Sequence, residues 1–342
     1  MSRPHSSSHD DSRRGIKRPN QHIGDSSAPV ETSEHNSWLF TEEEITETPS
    51  RVQGLPEHAE LKVVAKTAQF IQECGGELQV PQLTKSVAVK FFQRFFMLES
   101  MLNHPPPLVA AACLFLSCKV QETHKRLKDI IYWTVKVRTR NTKDFPDGMD
   151  LFENSPGYYE EKNNILDKER EVLRVLNFDL TVDHPYKHLW ALTKSYLGSD
   201  QVQRSITQAG WNFLNDSFRT YLHVRYDAKE VATAAFFMSA KLHNHKLPDG
   251  TTRERSTGKR ILAWHEFFKT NLHRVEEVCK ILLDMYELED KASSVFKKGA
   301  GVIESVPPKH PAKRRKTENV KLESTPIDNE PRTRVEPYTA YR

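Results

Sequence analysis

Apolar positions recur through the middle of the chain at the three-to-four-residue spacing of amphipathic helices. No stretch alternates apolar and polar residues as a half-buried strand would, so the pattern predicts an all-α protein. Thr41-Glu-Glu-Glu44 is a capping box, and the short helix it opens should stop at Thr48-Pro49. Five helices follow. The first covers about 57–74 and ends at Gly75-Gly76. The second, about 82–99, carries Val87, Ala88, Phe91, Phe92, Phe95 and Phe96, a stripe wide enough to need more than one neighbour. Asn103-His-Pro-Pro-Pro107 breaks the chain before an Ala-rich third helix. A fourth spans about 125–138, a long polar loop occupies 139–157, and a fifth runs about 158–177.

A second group opens at Asp183, read as an N-cap with Pro185 in the first turn. A long helix over about 200–222 follows, and then a second Ala-rich helix with Asp227 and Glu230 as its capping box. Val231, Ala234, Ala235, Met238 and Leu242 keep i, i+3, i+4, i+7 spacing along it. A Gly/Arg/Thr-rich loop at 248–260 precedes a final helix of about 271–288.

The two Ala-rich helices are copies of one another. Residues 109–120 read VAAACLFLSCKV and residues 231–242 read VATAAFFMSAKL, identical at six of twelve positions at an offset of 122. An offset this long points to duplication of a small domain rather than of a solenoid unit. Ala at several positions lets other helices approach closely on many sides, which puts each copy at the centre of a bundle. The expected architecture is two tandem five-helix bundles over 36–181 and 182–290, with tails at 1–35 and 291–342.

Composition refines this picture. A hydrophobic share of 37% and a mean hydropathy of −0.65 suit folded domains flanked by polar, disordered tails. Of the net charge of +4, residues 291–342 carry +6 and the rest −2. The folded part is therefore not a basic nucleic-acid platform, and no direct DNA binding is expected. Cys74, Cys113, Cys118 and Cys279 form no CxxC pair and read as reduced core thiols. The N-terminus lacks an apolar secretory core, and no run of about 18 apolar residues exists to span a membrane. The expected compartment is intracellular.

Two charges interrupt apolar faces. Lys119 lies on the face of Ala112, Phe115, Leu116 and Val120, and Glu169 on that of Ile165, Leu166, Val172, Leu173 and Leu176. Inward charges are costly without partners. They form an internal ion pair, they snorkel to solvent, or they flank an exposed groove and bond another protein's backbone. Helix periodicity does not separate these readings.

The residues around them resemble the cyclin box. LFLSCKVQET at 114–123 and KEREVLRVLNFDL at 168–180 match that family's two helix signatures, and the resemblance covers about residues 38–290. It implies a regulatory subunit, not an enzyme and without a cofactor, that activates a cyclin-dependent kinase. By the same resemblance Lys119 and Glu169 grip the kinase's αC region, with Leu173 and Phe178 as apolar contacts beside them. Trp38-x-Phe40, Thr48-Pro-Ser-Arg51, Leu83-Thr84, Phe91-x-x-x-Phe95-Phe96-Met97 and Leu127-x-Asp129-Ile130-Ile131 look like the transcription-type T, K and L classes. That subtype implies a kinase of the positive transcription elongation factor b type, acting on the C-terminal repeats of RNA polymerase II. The cell-cycle M-R-A-I-L motif is absent. Alternatives are a splicing-linked cyclin L-like subunit and a DNA-binding transcription factor with two cyclin-like folds. The first lacks an Arg-Ser tail here; the second would need a zinc ribbon, and no cysteine precedes Cys74.

The chain departs from the family where Val64 replaces an Arg, Gln93 its acidic partner, and Gln121 an acidic position after Lys119. Loss of both members of the first pair predicts a repacked internal contact. Lys241, the second copy's equivalent of Lys119, lacks a Glu partner. Lys313-Arg-Arg-Lys316 (Lys313, Arg314, Arg315, Lys316) reads as a nuclear-import signal, with Arg13-Arg14 and Lys17-Arg18 weaker. Thr48-Pro49, Ser155-Pro156 and Thr325-Pro326 are candidate proline-directed phosphosites, and the loop 253–260 reads as a solvated basic segment. His184-x-x-x-His188 lacks a third ligand, and Gly250 to Gly258-Lys259 has the wrong spacing for a phosphate loop, so neither implies a metal or nucleotide.

Overall fold

The computed structural model describes residues 38–139, 152–197, 201–248, 250–251 and 262–300, with side chains through Leu288. The tail expected at 1–35, the import signals, the loop 253–260, Gly258, Lys259 and Thr325 lie outside the described residues, whereas the first ten residues of the tail expected at 291–342 are helical backbone that continues the last helix to Ala300. Every regular element among the described residues is helical. In order these are α1 (Glu42–Thr46), α2 (Pro49–Val52), α3 (Glu57–Glu77), α4 (Gln82–Leu98), α5 (Pro106–Val120), α6 (Leu127–Thr139) and α7 (Pro156–Val175). Then come α8 (Pro185–Leu197), α9 (Gln201–Ser217), α10 (Leu222–Arg225), α11 (Ala228–Leu242), α12 (Trp264–Phe267) and α13 (Leu272–Ala300). The chain through Leu288 is one compact unit; of a second unit, beginning at Glu289, only the helical backbone to Ala300 is described.

The Ala-rich helices occupy the centres that their composition demands. α5 packs against α3, α4, α6 and α7, and every residue from Val109 to Cys118 is buried. α11 packs against α8, α9 and α10, with Val231, Ala232, Ala234 and Ala235 fully buried. Phe91, Phe92, Phe95 and Phe96 of α4 are fully enclosed, each burial worth about 2–3 kcal/mol. Phe92 and Phe95 both meet Phe96 edge to face, at 4.8 and 5.1 Å.

The duplication extends beyond sequence identity. α5 closes with Thr123 N–H on Cys118 C=O at 2.8 Å, and α11 with His245 N–H on Ala240 C=O at 2.8 Å. Glu122 and Asn244, again 122 positions apart, take left-handed backbone at φ 51° and 53°. Ser117 Oγ donates to Leu114 C=O and Ser239 Oγ to Phe236 C=O, both at 2.8 Å. One helix-plus-stop unit has been used twice.

Local signals gave the helix starts. Thr41 accepts from the Glu44 N–H while the Glu44 carboxylate accepts from the Thr41 N–H, as the capping box requires. The Glu230 carboxylate likewise accepts from the Asp227 N–H. Some boundaries moved. α3 continues through Gly75-Gly76 to Glu77; Gly75 is needed there for packing, since the Lys85 side chain lies within 2.5 Å of where its Cβ would be. The helix expected to reach 222 ends at Ser217, where the Ser217 hydroxyl bonds the buried His223 ring instead. Thr48-Pro49 begins a helix as well as ending one. The segment expected to be a polar loop holds Phe152, buried between Tyr132 and Tyr158. Leu242, placed on the apolar stripe of α11, is 63% exposed. The Asp183 carboxylate turns to His188 and Lys187.

Polar side chains of α4 join the two helix groups. Lys90 Nζ donates to Asp183 C=O at 2.7 Å and Arg94 Nη2 to Thr181 C=O at 2.9 Å. Gln93 Nε2 donates to the carbonyls of Phe218 and Thr220 at 3.0 and 2.8 Å. All three side chains are buried. Gln93 is thus a carbonyl-binding donor at the seam, and a carboxylate there would face two acceptors. Val64 is fully buried and apolar.

Candidate functional site

α5 and α7 pack against each other and bring the two interrupting charges together. Lys119 Nζ lies 2.8 Å from one Glu169 carboxylate oxygen and 2.9 Å from the other. It also stands 4.0 Å from the centre of the Phe115 ring, one helical turn earlier. The pair is unevenly covered, with Lys119 half exposed and Glu169 buried. Of the readings left open by periodicity, the internal ion pair is the one seen: the two charges satisfy each other, and Lys119 also lines an open groove.

That groove, about 590 Å³, runs between the end of α5 and the start of α6. Phe115, Cys118, Lys119, Glu122, Lys125 and Leu127 are among its lining residues. The left-handed Glu122 turns the chain there. One turn beyond Glu169, Leu173 packs partly against the core. α7 then stops, with Phe178 N–H on Leu173 C=O at 2.9 Å. Asn177 and Phe178 are both left-handed, at φ 52° and 58°, and the Phe178 ring is 67% exposed. Left-handed backbone at two successive non-glycine residues, one of them a bulky Phe, is uncommon. Lys119, Glu169, Leu173 and Phe178 thus belong to two adjoining helices and the turn that ends one of them.

Sequence reasoning missed the groove's floor and the Phe115–Lys119 stack, although i, i+4 spacing marks the latter. The second copy keeps that stack, with Lys241 Nζ 5.4 Å from the Phe237 ring. Among the described residues Lys241 forms no ion pair, so only the first copy carries the full arrangement. The basic tetrapeptide Lys313–Lys316 lies outside the described residues.

Comparison with known proteins gives the chain its family. Residues 36–181 match the model of the cyclin N-terminal domain. Over 255 residues the chain is 34% identical to Cyclin-T1-5 of Arabidopsis thaliana, covering 74% of this chain and 42% of that one. The chain belongs to the cyclin family. This cyclin is also 28% identical to Cyclin pch1 of Schizosaccharomyces pombe, covering 76% and 72% of the two chains. It is 29% identical to Cyclin-K of Homo sapiens, covering 73% of its own length and 40% of the relative's. The relatives it resembles are thus of the transcription type, and it spans less than half the length of the T1 cyclins it matches. Among solved structures, a chain of the yeast RNA Pol II CTD kinase CTDK-1 complex shares the fold with a TM-score of 0.57 at 18% identity, covering 72% of each chain. A chain of the CAK complex from Chaetomium thermophilum does so at 0.51 and 18%, covering 76% and 78%.

Proposed function

We propose that this cyclin binds a cyclin-dependent kinase through the rim formed by α5 and α7, and activates it toward the C-terminal repeats of RNA polymerase II. The observation that carries this reading is the half-exposed Lys119 held by the buried Glu169, with Phe178 exposed at the turn that ends the helix carrying Glu169. An ammonium and a carboxylate fixed at 2.8 Å offer a donor and an acceptor at set separation, suited to main-chain groups at a partner helix end. Leu173 and Phe178 add apolar area to the same patch, and the groove beside Lys119 receives what projects from the partner.

The mechanism is a shift of population. A kinase in which the αC helix moves between outward and inward positions is held inward when αC gains contacts with this rim. The inward position completes the kinase's own Lys–Glu pair and metal-binding geometry. The cyclin supplies no catalytic residue. The tetrapeptide Lys313–Lys316 supports a nuclear site of action. Kinship with T, K and L cyclins, and the fold shared with a chain of a polymerase CTD kinase complex, support the transcription class. The reading is tested by co-expressing the full chain with a panel of cyclin-dependent kinases and assaying captured kinase on a polymerase C-terminal repeat peptide. Capture of an active transcription kinase is expected; a folded chain that captures none overturns the reading.

A further inference from the structure

The turn that displays Phe178 is held by a residue far away in sequence. Trp38 Nε1 donates to Asp179 Oδ2 at 2.8 Å. The other Asp179 oxygen accepts from Thr181 N–H at 3.2 Å, and the Asp179 N–H donates to Leu176 C=O at 3.0 Å. The Arg94 guanidinium lies 5.0 Å from the indole ring centre and donates to Thr181 C=O at 2.9 Å. The next residues of the lead-in are anchored too, with Phe40 N–H on Val224 C=O at 2.7 Å. Burial would by itself raise the Asp179 carboxyl, but the Trp38 indole, Thr181 and Arg94 outweigh it and hold it below the usual carboxylate range.

Two successive non-glycine residues in left-handed backbone persist only where their surroundings impose it. The Phe178 ring, mostly in solvent, contributes little to that hold. The restraint enters one residue later, at Asp179.

We infer that Trp38 is a positioning residue for the Phe178 turn: its indole N–H, acting through Asp179, fixes the direction in which the Phe178 ring leaves the surface. The inference rests on the reading of Phe178 as a kinase contact. A chain whose turn is only partly in the competent form binds with an apparent affinity reduced by that fraction. The lead-in would thereby govern kinase affinity without touching the kinase.

The test uses the full chain as wild type, Trp38→Phe, Asp179→Ala, Asp179→Asn and the double variant Trp38→Phe/Asp179→Ala. Trp38→Phe keeps an aromatic ring beside Arg94 but loses the N–H; Asp179→Asn keeps one acceptor oxygen where the carboxylate uses two, for the indole and for the Thr181 N–H. Hydrogen exchange on the free chain should show the Phe178, Asp179 and Thr181 amides opening about 10-fold faster in Trp38→Phe and Asp179→Ala, with α5 amides unchanged. Asp179→Asn, which retains one of the two acceptor oxygens, should fall between wild type and Asp179→Ala. Affinity for the kinase that the wild type captures should fall about 10-fold in both loosened variants, and no further in the double variant. Wild-type exchange at those three amides in Trp38→Phe overturns the inference, as does faster exchange with undiminished affinity. A wild type that captures no kinase contradicts the proposed function instead, and the exchange data alone then decide whether Trp38 holds the turn.

Discussion

Lys119 and Glu169 meet at 2.8 Å, yet Lys119 keeps 52% of its side chain in solvent while Glu169 keeps 7%. Removing either partner therefore has unequal consequences. Lys119→Ala strands a buried carboxylate and should cost about 2 kcal/mol of stability. Glu169→Gln leaves a lysine that water already solvates, and should cost no more than about 1 kcal/mol. Urea unfolding of both variants checks the order; equal losses would mean that burial does not set the balance.

Gln93 should be intolerant of an acidic residue in its place. Gln93→Glu would set a carboxylate against the carbonyl oxygens of Phe218 and Thr220, and should cost about 3 kcal/mol or more. Gln93→Ala, which only leaves those carbonyls short of a donor, should cost less, about 2 kcal/mol. Thermal unfolding compares the two, and a Glu variant more stable than the Ala variant would contradict this account of the seam.

Lys90 should make stability depend on pH. Burial first, and then the Arg94 charge, pull its ammonium from an ordinary value near 10.5 to about 7, against the opposing pull of Asp183 and Asp227. The folded value lies below the unfolded one, so between these pH values the unfolded chain holds more protons and stability rises with pH. Below pH 7 both states are protonated and Lys90 adds no slope. The stability of wild type relative to Lys90→Met should therefore grow by roughly 3 kcal/mol from pH 7 to 9.5. Urea titrations at the two pH values should diverge; parallel curves would contradict the assignment.

Thr48-Pro49 should not be a phosphorylation site of the folded chain. The Thr48 side chain is fully buried, and its hydroxyl donates to Glu60 at 2.7 Å. Glu60 is itself fully buried and also holds Arg51 at 2.5 Å. A proline-directed kinase should label Thr48 only after denaturation, as read by phosphopeptide mapping of native and unfolded protein. Thr48→Val should cost about 1–2 kcal/mol by withdrawing a donor from a buried carboxylate.

The sequence was most legible where the determinant is local. The Thr41 capping box, the prolines before α5 and the repeated Ala-rich segment each specify structure within a turn or two, and each formed as read. Lys119 and Glu169 stood out because a helical period exposes a charge on an apolar face. What sequence could not supply was the identity of distant partners. The acceptors of Gln93 lie more than a hundred residues away, and the restraint on Phe178 comes from Trp38. The Gly75 inside α3 is likewise explained only by Lys85, whose side chain fills the space a Cβ would need there. Exposure was equally illegible: nothing local distinguishes the buried Thr48 from the half-buried Ser155.

The measurement that bears most directly on the central claim is kinase capture by the wild-type chain set beside its charge-reversed partners, Lys119→Glu and Glu169→Lys. Full chain co-expressed with each candidate cyclin-dependent kinase is purified, checked for helical content, and assayed on a polymerase C-terminal repeat peptide. The account predicts that one transcription-class kinase is captured and active with wild type, and that either reversal abolishes both capture and activity while helicity is retained. Undiminished capture and activity in the two folded reversals would contradict it.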